Sequence, residues 1–345
     1  MNSPFEISDS TSSKIRNAGI VCAFLVVLIH SWKPFKAPGI GWWMREILGN
    51  GVAHIAVPFF FSVTGYMLAR DYSSKGYGPL VAKRIHTLML PFIIWNFLFW
   101  VVHLLGSNAK ELIHGNGSAV VWMNAEEFGL WYTGCPMLTP LWYVRAIFVL
   151  SLTSPLLLWC IRKLGAKFLV LLYALYGACC PYWPVSWGGA LPEFFRVGIF
   201  PVQGVFYVAM GMALYERKVS DKYLPRKPLL LSAIGLGLVV MRSVVVYNHW
   251  WGAEYLGFVS IPFLLAGFYM LISDKPWPKW LVTNAFSVYL IHKFVLLFVN
   301  QISMHGSDAL VYLGTAVIAF GASLCLAIFV KSYARGLAWV LFGGR

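Results

Sequence analysis

The segment IRNAGIVCAFLVVLIHSWKP, residues 15–34, decides the class of fold to which this chain belongs. It matches the roughly 20 apolar residues that a helix needs to cross the hydrocarbon core of a bilayer. The whole chain of 345 residues has the same character, with 59% hydrophobic and only 12% charged residues. Soluble domains contain roughly 25% charged residues. The sequence therefore predicts an integral membrane protein of the all-α class.

Further apolar runs of similar length follow this segment along the chain. About ten such runs are long enough to be transmembrane helices, and no internal repeat or soluble domain interrupts them. We predict a single integral-membrane domain over residues 1–345. It is a polytopic helical bundle, with spans at 15–34, 51–69, 85–105, 140–161, 168–183, 197–215, 228–247, 255–273, 281–300 and 309–330.

The loops between these spans indicate the orientation of the bundle. Most of their lysines and arginines fall on the side of the N-terminus, and such residues are enriched in cytoplasmic loops. We therefore expect both termini to be cytoplasmic, with residues 1–13 as a short cytoplasmic tail. The longest loop, residues 106–139, would then lie on the outer side of the membrane.

Composition also argues against several kinds of partner. The net charge of +14 does not indicate nucleic-acid binding, because the basic residues lie in short loops rather than on one basic face. The six cysteines show no CxxC or other metal-ligand spacing, so we expect no metal site and interpret them as small core residues. The sequence does not indicate an oligomeric state.

Few ionisable residues fall within the predicted spans, and these define the candidate site. His30, Arg145 and His292 are the most informative, because an ionisable group in hydrocarbon is costly and usually functional. In the predicted orientation they gather with Arg242 and Lys293 around the outer half of the bundle. An alternative for the two arginines is that they extend along the apolar surface to water.

Carboxylates are absent from the interior of every predicted span. A proton-coupled transporter often needs one there, so this absence disfavours that class. A carboxylate that orients the His30 ring would have to come from the membrane edge. The sequence does not choose among the outer-side candidates, which are Glu46, Glu193, Glu254 and Asp308.

A second candidate site is the predicted cytoplasmic segment that contains Arg70, Lys75, Lys83 and Arg84. Cations beside a helix N-terminus suit a phosphorylated ligand. The alternative is a cluster that orients the protein in the membrane and binds anionic lipid. The sequence leaves both interpretations open.

Aromatic residues make up 17% of the chain, and many lie at the predicted outer interface. A belt of interfacial tryptophans and tyrosines explains most of them. A platform on which a sugar ring stacks is the alternative for a few members of this set: Trp42, Trp43, Trp122, Trp131, Tyr132, Trp142, Tyr143, Trp183, Trp187, Trp250 and Trp251.

Five stretches occur in an order that resembles a known family. They are VVLIHSW (26–32), VPFFFSVTGYMLARDY (57–72), AKRIHTLMLPFIIWN (82–96), LWYVRAIFVLSLTSPLL (141–157) and FSVYLIHKFVL (286–296). This order is similar to acyltransferase family 3, the membrane-bound O-acyltransferases of bacterial envelopes. The resemblance implies a multi-pass protein of the bacterial cytoplasmic (inner) membrane. Its members transfer an acyl group, most often acetyl from cytoplasmic acetyl-CoA, to a carbohydrate or lipid-linked glycan.

The resemblance also implies roles for particular residues. His30 matches the first-span histidine of the family, which is taken to be catalytic. Lys83 and Arg84 match the basic pair after the second span. Arg145 matches the arginine of the W-[FY]-x-R motif, and His292 matches the late YLIH motif.

This chain departs from the family pattern at one position. Members often carry an arginine eleven residues before the first-span histidine, where this chain has Gly19. Arg16 is fourteen residues before His30, about 21 Å away on nearly the same face of a helix. It either joins Lys83 and Arg84 in holding the phosphates of acyl-CoA or serves as a topology anchor.

Together these residues predict a short reaction sequence. A thioester needs only a base that deprotonates the acceptor hydroxyl and donors that stabilise the oxyanion. His30 would be that base or would take the acyl group covalently. Arg145 or His292 would stabilise the oxyanion. The competing class is a transporter or flippase for a lipid-linked sugar or small metabolite, which would use the same pocket for binding only.

Overall fold

The computed structural model describes residues 8–31, 39–114, 139–179, 201–219, 227–300 and 306–344. Within these ranges the chain is helical and contains no strand, so the prediction of an all-α fold is confirmed. The α-helices are α1 (Asp9–His30), α2 (Ile40–Met44), α3 (Ala56–Lys75), α4 (Tyr77–Arg84), α5 (Leu90–His114), α6 (Trp142–Leu152), α7 (Ser154–Leu164), α8 (Ala166–Cys179), α9 (Val202–Glu216), α10 (Pro228–Tyr247), α11 (Ala253–Leu271), α12 (Lys279–Val282), α13 (Ala285–Val299), α14 (Asp308–Tyr333) and α15 (Arg335–Phe342).

Four short helical segments of other types complete the described chain. Two are π-helical turns, Arg45–Gly49 and Ile85–Met89. Two are 3₁₀ turns, Val52–Ile55 and Thr139–Leu141. They join neighbouring α-helices into longer rods, so that Ile40–Lys75 and Tyr77–Val102 are each continuous enough to span a bilayer.

Six of the described helical segments are long and apolar enough to cross a membrane, and the bent pair α6–α7 makes a seventh. Three further predicted spans fall on shorter helices, α8, α9 and α13, of 14, 15 and 15 residues. Large apolar side chains also remain exposed on the outside of the bundle, for example Leu229 at 72%, which suits hydrocarbon better than water. The chain is therefore a multi-pass membrane protein. The number of ten spans and the orientation stay predictions.

One predicted span, 140–161, is bent by 64° between α6 and α7. Pro155 lies in the first turn of α7 and has no N–H to donate back to the carbonyl of Ser151. The proline ring also crowds that carbonyl, so α6 ends at Leu152 and α7 begins in a new direction.

Helix α1 lies inside the bundle and buries two faces. Ala18, Cys22 and Val26 follow a spacing of four residues and pack into the main core beside α3. A second row, Ile20, Ala23 and Val27, packs against α13 and α14. A helix that is apolar on several sides is expected only where protein or lipid surrounds it. The end of α1, at His30, is thereby held inside the structure.

Helices α3 and α9 approach each other closely through glycine. A Cβ on Gly65 would meet the backbone carbonyl of Val208, and a Cβ on Gly211 would meet that of Ser62. The two helix backbones therefore touch, as small residues allow in membrane bundles. This contact fixes α3, whose C-terminal half forms one wall of the site.

Candidate active site

His30 is the last residue of α1, and a main-chain carbonyl fixes its ring. Its Nδ1 lies 2.8 Å from the carbonyl oxygen of Val26, one turn earlier. A carbonyl oxygen only accepts hydrogen bonds, so Nδ1 carries the proton of the neutral ring. Nε2 then keeps its lone pair, which is the form that a general base requires.

His292 repeats this arrangement in the middle of α13. The residue is completely buried, and its Nδ1 donates to the carbonyl of Tyr289 at 2.6 Å. Its Nε2 is buried and has no hydrogen-bond partner among the described residues. The rings of His30 and His292 lie 5.1 Å apart between centroids, at an angle of 55°. Sequence reasoning selected both histidines, and the fold brings them together.

Two imidazoles whose Nδ1–H groups are both used by the backbone present two acceptors to the space around them. Both Nε2 atoms are then free of main-chain hydrogen bonds and keep their lone pairs. The pair is therefore suited to take a proton from a hydroxyl, whereas two neutral rings in this tautomer have no Nε2–H to donate.

The orienting group of His30 is the Val26 carbonyl rather than a carboxylate. Of the outer-side candidates, Glu46 accepts hydrogen bonds from Arg45, Asn50 and Arg242 instead. Glu193 lies outside the described residues.

A cavity of about 510 Å³ lies between α3, α4, the following π-helical turn, α6 and α13. Neither His30 nor His292 lines it, but Tyr289 does, one helical turn before His292. One end of it is basic, with Arg70, Lys83 and Arg84 on its wall together with Asp71. Lys83 returns to the end of α3 because the chain reverses at Gly76, whose φ of +78° is accessible to glycine without strain.

The basic end combines satisfied and unsatisfied charges. The buried carboxylate of Asp71 accepts from Nη2 of Arg70 at 3.1 Å and from Nζ of Lys83 at 3.0 Å. Arg84 is only 7% exposed, yet it makes no hydrogen bond or ion pair with any part of the chain that the structure describes, and its Nε is buried. A buried guanidinium in this state is costly unless an anion meets it.

Another part of the cavity wall is aromatic and belongs to the helix that carries His292. Tyr143 and Tyr289 line it, with ring centroids 5.8 Å apart, and the Tyr289 hydroxyl donates to the Pro140 carbonyl. The Tyr289 ring lies 6.0 Å from that of His292. Ala285, Phe286 and Tyr289 thus line successive positions of α13 on the way to His292.

The remaining predicted residues take different positions. Arg145 is buried at 6% exposure in α6, where its neighbours Val144 and Ile147 line the cavity. A buried position within the bundle does not fit extension along a lipid-facing surface. Arg16 is exposed, bonds to Ser13, and is not part of the cavity wall.

Sequence reasoning did not select Asp71 and Tyr289 as site residues. Asp71 stands among the cations of the second candidate site, in the stretch LARDYSSK, and an acid inside a basic cluster is a signal for a bridging role. Tyr289 begins the YLIH motif, three residues before His292, which places both on one side of a helix.

Among the residues that the structure describes, no group of three or more His, Cys, Asp or Glu side chains is arranged to hold a metal ion. The described cysteines are free: Cys22, Cys160, Cys179 and Cys325.

Apolar helices, a basic cavity and a histidine pair, of which His292 is fully and His30 partly buried, define a membrane protein with a polar site inside the bundle. The chain belongs to the acyltransferase-3 family, because the model of that family, described as an acyltransferase domain, matches residues 19–331. The resemblance predicted from the five motifs is thereby confirmed.

A curated relative shares part of the chain. The succinoglycan biosynthesis protein ExoH of Rhizobium meliloti (strain 1021) is 28% identical over 161 residues, which cover 43% of this chain and 42% of that protein. The match therefore spans less than half of the relative's length. No solved structure matches the chain.

Proposed function

We propose that this chain is an O-acyltransferase of the bacterial inner membrane. It moves an acyl group, most often acetyl, from cytoplasmic acyl-CoA to a hydroxyl of a cell-envelope carbohydrate or lipid-linked glycan. The observation that supports this proposal best is the cavity, because its wall carries the basic residues and also Tyr289, whose ring lies 6.0 Å from that of His292. The name of the relative, a succinoglycan biosynthesis protein, supports a glycan as the acceptor class.

The basic end of the cavity binds the phosphates of the donor in this proposal. Arg84 supplies a guanidinium that makes no hydrogen bond or ion pair to the described residues, and Arg70 and Lys83 exchange part of their contact with Asp71 for phosphate oxygens. The pantetheine arm then extends between Tyr143 and Tyr289 towards His292. Arg16 lies outside the cavity wall, so the anchor role suits it better.

The histidine pair performs the proton transfers. Nε2 of His30 takes the proton of the acceptor hydroxyl as its oxygen bonds to the thioester carbonyl carbon. When the tetrahedral intermediate collapses, the C–S bond breaks and the CoA thiolate takes that proton. His292 offers a second acceptor beside it rather than a donor, since its Nδ1–H is already used by the Tyr289 carbonyl. Arg145 remains the donor for the oxyanion.

The test uses purified full-length protein in nanodiscs with radiolabelled acetyl-CoA and a lipid-linked glycan extract. Release of CoA together with label on the glycan is the expected result, and a His292→Gln variant should lose both. Movement of a glycan across vesicles without consumption of acetyl-CoA would contradict the proposal and favour the transporter class.

A further inference from the structure

A second ion cluster lies at the other end of the site, where the π-helical turn Arg45–Gly49 meets α10. Glu46 is 3% exposed and accepts from Nη2 of Arg45 at 2.7 Å and from Nδ2 of Asn50 at 2.6 Å. Nη1 of Arg242 completes the cluster at 3.3 Å from Oε2 of Glu46. These bonds fix α10 to the segment that follows α2.

Three aromatic rings pack on one another beside this cluster. The Trp42 and Trp43 rings lie 4.9 Å apart, and Tyr247 lies 5.6 Å from the first and 5.4 Å from the second, stacked on it at 29°. Trp42 is one helical turn before Glu46, and Tyr247 is five residues after Arg242. The tyrosine is 45% exposed, so the group has an open side.

An interfacial belt does not account for this grouping. Belt residues anchor a protein singly through their amphipathic rings. They need neither mutual stacking nor a buried ion cluster one turn away.

The aromatic group is near the reacting end of α1. His54 is within electrostatic range of His30 on one side and of Glu46 and Arg242 on the other. The Tyr312 hydroxyl donates to the carbonyl of Leu28, two residues before His30, at 3.1 Å. None of these residues lines the donor cavity, so this surface is available to the acceptor.

We propose that Trp42, Trp43 and Tyr247, together with Arg242, form the binding surface for an acidic saccharide acceptor. This inference rests on the proposed function. The apolar face of a pyranose ring stacks on an aromatic ring while its hydroxyl edge stays in water. Arg242 uses one N–H donor on Glu46, and a guanidinium carries five, which leaves a fork for a carboxylate.

Charge selects an acidic sugar over a neutral one. Arg242 shares the carboxylate of Glu46 with Arg45 and lies farther from it, at 3.3 Å against 2.7 Å, so the positive charge of Arg242 is only partly compensated. A negative group on the saccharide complements that charge and orients the chain so that a neighbouring hydroxyl meets His30.

The experiment measures binding of two disaccharides to the full-length protein in nanodiscs by saturation-transfer NMR. The probes are cellobiouronic acid, which carries a carboxylate, and cellobiose, which lacks it. We expect the acid to bind about tenfold more tightly to the wild type, the effect of one charge-assisted contact. Arg242→Gln should remove this preference and leave cellobiose binding unchanged.

Truncation of a ring in the three-ring group should weaken the binding of both probes about tenfold, which is the scale of one aromatic contact. Trp43→Ala is the first variant, and Tyr247→Ala, at a more exposed position, is the second in case the first does not fold. Trp250→Ala is the matched control, because Trp250 is 64% exposed and outside the three-ring group. It should bind both probes as the wild type does.

Equal binding of the two probes by the wild type, no binding of either, or an equal loss in Trp250→Ala would overturn the proposal. CoA release from acetyl-CoA, measured on the same protein preparations with the lipid-linked glycan extract as acceptor, separates this result from the proposed function. Binding as expected without CoA release would leave the surface in place and contradict the acyltransferase mechanism. CoA release with unaltered binding in every variant would do the reverse.

Discussion

Glu46 and Asp71 are buried carboxylates at opposite ends of the site, and their side chains are each 4% exposed. Each is held by two cationic side chains. The cations differ, however, because Arg45 and Arg242 around Glu46 are only 18% and 20% exposed. Their bonds, together with that of Asn50, leave the carboxylate little freedom, and they join two helical segments.

The cations around Asp71 are more exposed, with Arg70 at 36% and Lys83 at 46%. Arg84 is close by, within electrostatic range of Asp71, and its buried Nε makes no hydrogen bond to the described residues. The Glu46 cluster (Glu46, Arg45, Arg242 and Asn50) is therefore the more rigid of the two. The Asp71 cluster (Asp71, Arg70 and Lys83) has the more exposed cations, and exposed ion pairs contribute little to stability and exchange easily.

The largest expected effect concerns His30, which belongs to neither ion cluster and whose role neither cluster can take over. His30→Ala should lower acyl transfer at least about 100-fold, because it removes the general base. Thermal stability and membrane insertion should stay as in the wild type. His249→Gln, at an exposed loop position, is the control. Wild-type turnover in His30→Ala would contradict the assignment.

The next largest effect should appear in the free energy of unfolding when each of the two carboxylates is removed. Glu46→Gln should destabilise the protein by about 3 kcal/mol, since it leaves two partly buried cations without a counter-charge. Asp71→Asn should cost less than about 1 kcal/mol, because its cations can turn to water. Thermal unfolding in one detergent measures both. Equal losses would show that the two clusters are equally rigid.

Only the residues at the Asp71 cluster, and not those at Glu46, should affect the binding of the acyl-CoA donor. Arg84→Gln should raise the KM for acetyl-CoA about tenfold with little change in kcat, as expected when one charge-assisted contact to phosphate is lost. Lys75→Gln is the matched control, because Lys75 is an exposed cation of the same region that does not line the cavity. A similar rise in both variants would indicate a diffuse field rather than a site.

The smallest effect is expected for Arg16→Gln. Its side chain is exposed and bonds to Ser13, away from the cavity wall, so the KM for acetyl-CoA should change by less than about twofold. A change as large as that of Arg84→Gln, measured in the same assay, would instead indicate that Arg16 binds the phosphates of acyl-CoA. It would then replace the arginine that family members often carry where this chain has Gly19.

Sequence reasoning recovered the fold because hydrocarbon imposes a simple requirement. Every predicted span overlaps a helix in the described ranges, since an apolar run must satisfy its own backbone in lipid. The bend after Leu152 was harder to predict, because proline is tolerated in some membrane helices and ends others. The predicted loop 106–139 begins within α5, which continues to His114.

For the candidate site, the sequence predicted individual residues but not the contacts that they make. His30 and His292 stand out as ionisable groups in apolar runs, and the cost of burial is a property of the residue alone. Their contact is separated by most of the chain and depends on how α1 and α13 pack. The orienting carbonyls of Val26 and Tyr289 have no sequence signature, because every residue carries the same carbonyl.

The sequence by itself determined that this is a membrane protein, where its helices lie, which family it belongs to and which ionisable residues lie within its apolar segments. These follow from hydropathy, period and motif order, which are local properties of the chain. Only the tertiary structure decided which charges satisfy each other, which left Arg84 without a hydrogen bond or ion pair to the described residues and gave Glu46 three donors. Such pairing depends on distances of about 3 Å between residues far apart in sequence, and packing alone fixes those distances.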